Sequence, residues 1–397
     1  MPIVYDGRGC LHSGKLLDNA VNFLKGQNYS IDFSKQSLYD NDYQKSHWGV
    51  SWMIICDGLK GSYLDLFITT FKVKNMLKER LHWIDIMRGM AMLFVVMQHM
   101  SAYLYYDYLY YKFITIVDIG IFFFVSGYIL DKVVCLNSFY EVLIFILKKT
   151  IQLMVPFFVW GVIAKHYFFA VSPSAITFED LISQWTAPTL WFLLTLYGYM
   201  YYFAVNKWLC TKRLKFVSII FSIGAFVLLF ILWHISGEFK LATLYFPFFA
   251  GGVLLSLFKR EEMLKNSILR GLSVLAVIFL TALWKSGGQS FFYVGIKYIV
   301  STSAIVILYM LITEFKWNKT IDRFFEECGK NSIAIYCIHW PFTKIFPVNI
   351  ENEIYAIMAS FFMGVVVCML CISFKKITNK ISWLDVILFG NTKYIKI

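Results

Sequence analysis

Between residues 84 and 374 the sequence sets ten apolar stretches one after another, at roughly 84–106, 111–131, 150–171, 189–206, 215–236, 241–258, 268–285, 290–313, 332–349 and 353–374. Each is close to the roughly 17–25 residues that a helix needs to cross a bilayer. Within hydrocarbon a backbone must satisfy its own polar groups, and a helix does so within one segment. The expected fold is therefore all-α, a polytopic integral membrane protein with about ten transmembrane helices. Of the 397 residues, 59% are hydrophobic and only 16% charged, with a mean hydropathy of +0.62. A soluble domain carries about a quarter charged residues.

A net charge of +12 raises nucleic acid as a partner. The basic residues, however, are scattered between apolar stretches and not gathered on a soluble domain, so no nucleic acid is expected. Assigned to alternating loops, 24 lysines and arginines fall on one side, among them Lys132, Lys148, Lys149, Lys316, Lys319, Arg323 and Lys330. Six fall on the other: Lys112, Lys165, Lys240, Lys285, Lys297 and Lys344. The positive-inside rule then predicts an even number of spans with both termini in the cytoplasm. The eight cysteines form no disulfide framework, and Cys368-x-x-Cys371 lies inside an apolar stretch without a second ligand pair. Reduced structural thiols and no metal are expected.

Residues 1–75 read differently. They are polar, contain no spanning stretch, and carry at 51–73 the pattern of an amphipathic surface helix. They form either an amino-terminal extension of unknown role or a segment ahead of a true start at Met76, with the membrane domain at 76–397. No cleavable signal peptide opens the chain.

Ionisable groups inside spanning helices usually mark a site. The first stretch, LHWIDIMRGMAMLFVVMQHMSAY, holds Asp85, Arg88 and His99. Arg88 and His99, eleven residues apart, share one helix face and lie roughly 16 Å apart along its axis. With the amino terminus in the cytoplasm, Arg88 lies roughly 6 Å and His99 roughly 22 Å inside the cytoplasmic boundary. On the second stretch Asp118 comes near the level of His99, and Ser126-Gly127 near that of Arg88. Plainer readings stand beside these: Arg88 snorkelling to the surface, His99 as a bonded core histidine, Asp85 merely neutralising Arg88 at i,i+3, and Ser126-Gly127 as a packing notch. In CGKNSIAIYCIHWPFTKIFP, Gly329 and Asn331 suit a loop, Ser332 a helix cap, and His339 beside Pro341 a cavity lining on the inner half or a simple kink. Trp191 reads as an interfacial belt residue or a substrate contact.

The chain resembles the family-3 membrane acyltransferases, which O-acylate cell-envelope sugars. The resemblance rests on WIDIMRG followed by VVMQH (an R-x10-H spacing), FFFVSGY, KKTIQLMVPF, LWFL and GKNSIAIYCIHWP, in the family's order over residues 80–375. LWFL and IYCIHWP look most like the fucose 4-O-acetylase-like branch. The resemblance implies acetyl transfer from acetyl-CoA to a sugar hydroxyl of an exported or envelope glycan, in a bacterial cytoplasmic membrane beside other envelope-biosynthesis proteins. It assigns activity to Arg88 and His99. A glutamate that often follows the tryptophan motif in larger members is absent, as is an appended hydrolase domain. On this reading Arg88 meets the donor's phosphate or pantetheine, with Asp85, Ser126, Lys148, Lys149, Trp191, Ser332, Tyr336 and His339 as further donor or substrate contacts. His99 serves as general base or acyl carrier, oriented by Asp118. The alternatives are a transporter or flippase for a glycan or lipid-linked sugar, and an inactive assembly partner, against which the intact R-x10-H speaks.

Overall fold

The computed structural model describes residues 82–100, 108–134, 136, 138–164, 177, 190–211, 215–237, 239–285, 290–343 and 350–394. The extension at 1–75, its surface helix and the choice of start at Met76 lie outside them. Among the described residues there are twelve α-helices and no strand. They are α1 (82–100), α2 (Leu109–Val133), α3 (Phe139–Ile163), α4 (Trp191–Thr211), α5 (Lys215–Ser236) and α6 (Lys240–Leu257). Next come α7 (Ser267–Leu283), α8 (Phe291–Glu314), α9 (Lys319–Lys330), α10 (Ser332–Thr343), α11 (Glu353–Thr378) and α12 (Ser382–Phe389).

A helix occupies each of the ten apolar stretches, and six of those described (α2, α3, α5, α6, α8 and α11) are long and apolar enough to cross a membrane. The exposed surface is itself apolar: Phe216, Ile220 and Ile235 on α5 and Ile268 and Phe279 on α7 are 59% exposed or more. Lipid is the solvent that tolerates such a surface. The chain is an integral membrane protein.

The third helix corrects the sequence reading. It starts at Phe139, because Ser138 and Glu141 form a reciprocal capping box, with Ser138 Oγ accepting from Glu141 N (3.2 Å) and Ser138 N donating to Glu141 Oε2 (3.3 Å). Lys148 and Lys149 are therefore not loop residues. They lie mid-helix, about 15 Å along α3. Lys297, also counted in a loop, lies within α8 and is buried. The stretch 316–330, read as loop, is mostly α9, an amphipathic helix that buries Phe325, Cys328 and Gly329.

Two glycine crossings set the packing. A Cβ on Gly89 would fall 2.0 Å from the Phe325 carbonyl oxygen, and one on Gly329 2.0 Å from that of Asp85. Backbones of α1 and α9 thus touch directly, so Gly329 belongs to a packed helix and not to the expected loop. The ion pairs His82 Nε2–Asp322 (2.9 Å) and Lys376–Glu327 (3.0 Å) surround this contact. The second crossing joins α2 to α6, where a Cβ on Gly127 would meet the Phe249 oxygen at 2.1 Å and one on Gly252 the Phe124 oxygen at 2.1 Å. The packing-notch reading of Gly127 holds. Aromatic rings fill the space beside it: Phe123 lies against Phe192, Tyr199 and Tyr245, with centroids 4.8–5.7 Å apart.

The carboxyl-terminal helix α12 closes the bundle against α3. Trp160 Nε1 donates to the Leu388 oxygen (2.7 Å), and buried Asp385 pairs with Lys375 and accepts from Asn391 (2.6 Å). Gly390, at φ +61°, ends α12 against the Ile151 carbonyl.

Gly127→Ala and Gly252→Ala should each cost at least about 1–3 kcal/mol, since neither backbone can yield to the added methyl. Gly224→Ala, with nothing within 4 Å of its Cβ, should be neutral. Thermal midpoints in detergent check this ordering; equal behaviour of the three variants would contradict the crossing.

Candidate functional site on the inner face of the first helix

Positions 88, 92, 95 and 99 recur at helical spacing and share one face of α1. Arg88 occupies one end. Its Nε is enclosed and without a hydrogen-bond partner, and its guanidinium lies over the Phe122 ring of α2 at 5.8 Å. Asp85, three residues earlier, favours its charge through space without forming an ion pair with it. Lys149 of α3 lies near enough to Arg88 for the two cations to repel. Lys149 Nζ donates to Gln152 Oε1 (2.8 Å) and sits 5.8 Å over the Phe145 ring. Two cations thus approach one another within a membrane protein, and among the described residues no carboxylate forms an ion pair with the arginine.

His99 occupies the other end. Its ring lies 5.1 Å from that of His339 and 4.4 Å from that of Trp340. His339 is fully buried on α10. Its Nδ1 stands 3.0 Å from the Ile335 oxygen and 2.8 Å from the Tyr336 oxygen, while its Nε2 is enclosed with no partner. The sequence reading set His339 at a different height from His99; the two rings meet instead, since α10 rises from the α9 crossing at Asp85 until His339 lies beside His99.

Between the two ends runs a narrow void lined by Met92 and Val95 of α1, Ile119 and Phe122 of α2, Phe192 of α4 and Tyr336 of α10. It holds about 10 Å³ of water-sized space, room for roughly one water. Phe122 also touches Arg88, and Tyr336 lies 6.0 Å from His339, so the void abuts both ends. Any long ligand along this face must displace Phe122, Phe192 or Tyr336.

The other expected residues sort clearly. Ser126 is buried on α2 one turn beyond Phe122. Ser332 is buried at the start of α10, directly after Asn331, which ends α9. Trp191, the first residue of α4, stacks on Tyr245 at 5.8 Å and 25°. Lys148 is part-buried on α3.

Asp118 does not join His99. The carboxylate is buried, with Oδ1 accepting from Ile119 N (2.6 Å) and Oδ2 unpartnered. Its charged neighbour is Lys297, whose Nζ donates to Tyr245 Oη at 2.6 Å and lies 4.5 Å over that ring. The reason is helix choice: Asp118 faces α6 and α8, and the imidazole that meets His99 comes from α10. Sequence reasoning missed Lys297, Tyr245 and the void lining. The four described cysteines (Cys328, Cys337, Cys368, Cys371) are buried and free.

The fold and this face define a helical membrane protein with a buried cation-and-imidazole site. An acyltransferase-domain family model, acyltransferase family 3, matches residues 81–374. The chain belongs to that family and is a membrane acyltransferase. Neither the curated proteins nor the solved structures contain a match to it.

Asp118 and Lys297 are both buried and attract one another through space without forming an ion pair, so removing either leaves the other less well compensated. Asp118→Asn and Lys297→Met should each lower the thermal midpoint, and the double variant should recover most of the loss. Additive losses in that cycle would show that the two charges do not stabilise one another.

Proposed function

We propose that the protein transfers an acetyl group from acetyl-CoA to a hydroxyl of a sugar in an envelope or exported polysaccharide. The observation that carries this reading is the Arg88-to-His99 face: a buried arginine with an unpartnered Nε at one end, two imidazoles at the other, a narrow apolar void between. Coenzyme A has matching parts. Its phosphates are anionic and seek arginine, its pantetheine arm is long and thin, and its thioester is the group to be attacked.

Arg88 and Lys149 receive the phosphates, which removes their mutual repulsion. The arm lies along Met92 and Val95, with Phe122, Phe192 and Tyr336 moving aside. The thioester then meets His99, which acts as general base on the sugar hydroxyl or carries the acetyl group itself. Trp191, backed by the buried Tyr245, offers an aromatic face of the kind that sugars stack on, and the glycan or lipid-linked sugar approaches from the outer side. The ten helices at the ten apolar stretches cross the bacterial cytoplasmic membrane with both termini inside. Taking Lys148, Lys149 and Lys297 out of the loop count leaves a strong excess on one side, which supports that orientation. Family membership favours this reading over a transporter.

Purified protein in nanodiscs, given labelled acetyl-CoA and candidate sugar acceptors, should transfer label. His99→Ala should lose at least about 100-fold in rate with unchanged folding. Arg88→Lys, a point charge in place of a planar fork, should raise the KM for acetyl-CoA about tenfold and lower kcat less. Substantial transfer by His99→Ala would remove His99 from the chemistry.

A further inference from the structure

The pairing of two imidazoles at one end of the face asks which of them handles the proton. The chemistry of His339 answers it. Both groups that meet its Nδ1, the carbonyl oxygens of Ile335 (3.0 Å) and Tyr336 (2.8 Å), can only accept a hydrogen bond. Nδ1 must therefore carry the hydrogen. In the neutral ring Nε2 is then an acceptor with a free lone pair. That Nε2 is the enclosed, unpartnered atom, in a ring that lies 5.1 Å from His99. His339 is also held firmly, being fully buried on α10 with Trp340 packed against it at 5.8 Å. A buried nitrogen that ordinarily needs a donor and has none is a place for a donor to arrive.

Resting on the acetyl-transfer reading above, we propose that His339 is a second catalytic residue, the base that accepts the proton of the sugar hydroxyl at Nε2. The hydroxyl oxygen forms the new C–O bond to the acetyl carbon as the thioester C–S bond breaks. The hydroxyl proton passes to His339 Nε2, and the resulting imidazolium gives it to the departing thiolate, so that an acetyl ester and free coenzyme A leave. In this step His339 takes over the base role, no acyl-histidine forms, and His99, on the Arg88 face, holds the acetyl carbonyl in place for attack. The carbonyls of Ile335 and Tyr336 favour this step twice: they fix the tautomer before the reaction, and they stabilise the imidazolium during it.

The test uses two substitutions with opposite geometry. His339→Asn keeps an amide donor where Nδ1–H stood and deletes Nε2; His339→Ala deletes both and leaves space for free imidazole. With wild type transferring acetyl, His339→Asn should bind a non-transferable thioether analogue of acetyl-CoA within about threefold of wild type, yet transfer acetyl at least about 100-fold more slowly. Added imidazole should restore part of the rate to His339→Ala, and more so at pH values where imidazole is neutral. The inference is overturned if His339→Asn transfers acetyl within about threefold of wild type. It is equally overturned if the variants lose analogue binding together with transfer and imidazole restores nothing, since that is a structural role. A wild-type protein that transfers no acetyl group to any sugar overturns the acetyl-transfer reading itself, and the role of His339 falls with it.

Discussion

The contact on which the site depends is the meeting of two bare backbones, α1 at Asp85–Gly89 with α9 at Phe325–Gly329. Neither glycine can carry a Cβ there, with carbonyl oxygens 2.0 Å from where it would stand. In lipid there is little hydrophobic gain from pressing helices together, so close approach at small residues does much of the holding. The crossing fixes the lower end of α1, and with it the height of Arg88. Because α10 follows α9 after the single residue Asn331, it also fixes where α10 starts and how far His339 rises. Gly364 of α11 completes the support, its missing Cβ leaving room for Leu93 and Met97 at 3.0–3.1 Å. The arginine and the two imidazoles are thus placed by packing some distance from either.

Much of this was legible in the sequence, for reasons that are physical. Bilayer thickness demands long apolar helices, so all ten stretches announced themselves. Arg88 and His99 stood out because charge inside such a stretch is costly. Met92 and Val95 were equally readable, lying at i+4 and i+7 between them on a face already identified. Ser138-x-x-Glu141 was a readable capping box, but Lys148 and Lys149 interrupted the apolar pattern and drew the boundary of the third helix to the wrong place. Lys297 was misread for the same reason: a lysine near the end of an apolar stretch was counted as loop charge, when it lies buried against Tyr245.

What the sequence did not hold was which helix faces which. Height alone put Asp118 beside His99 and left His339 on the inner half, away from the ring it meets. Azimuth decided otherwise, turning Asp118 toward α6 and α8 and leaving the histidine to α10. Depth follows from residue count along one helix, but facing requires the packing of several. Asp118, Lys297 and Tyr245 therefore form a separate buried cluster, joined to the site through the Trp191–Tyr245 stack.

A narrow void with room for about one water makes the central claim demanding, because the aromatic side chains must part for a donor to lie along α1. The most direct measurement is a cryo-electron microscopy structure in nanodiscs with the thioether analogue of acetyl-CoA bound. The account predicts phosphate density at Arg88 and Lys149, the arm along Met92 and Val95 with Phe122, Phe192 or Tyr336 displaced, and the acetyl end between His99 and His339. An analogue bound elsewhere, or one whose acetyl end stays at the arginine level, would contradict it.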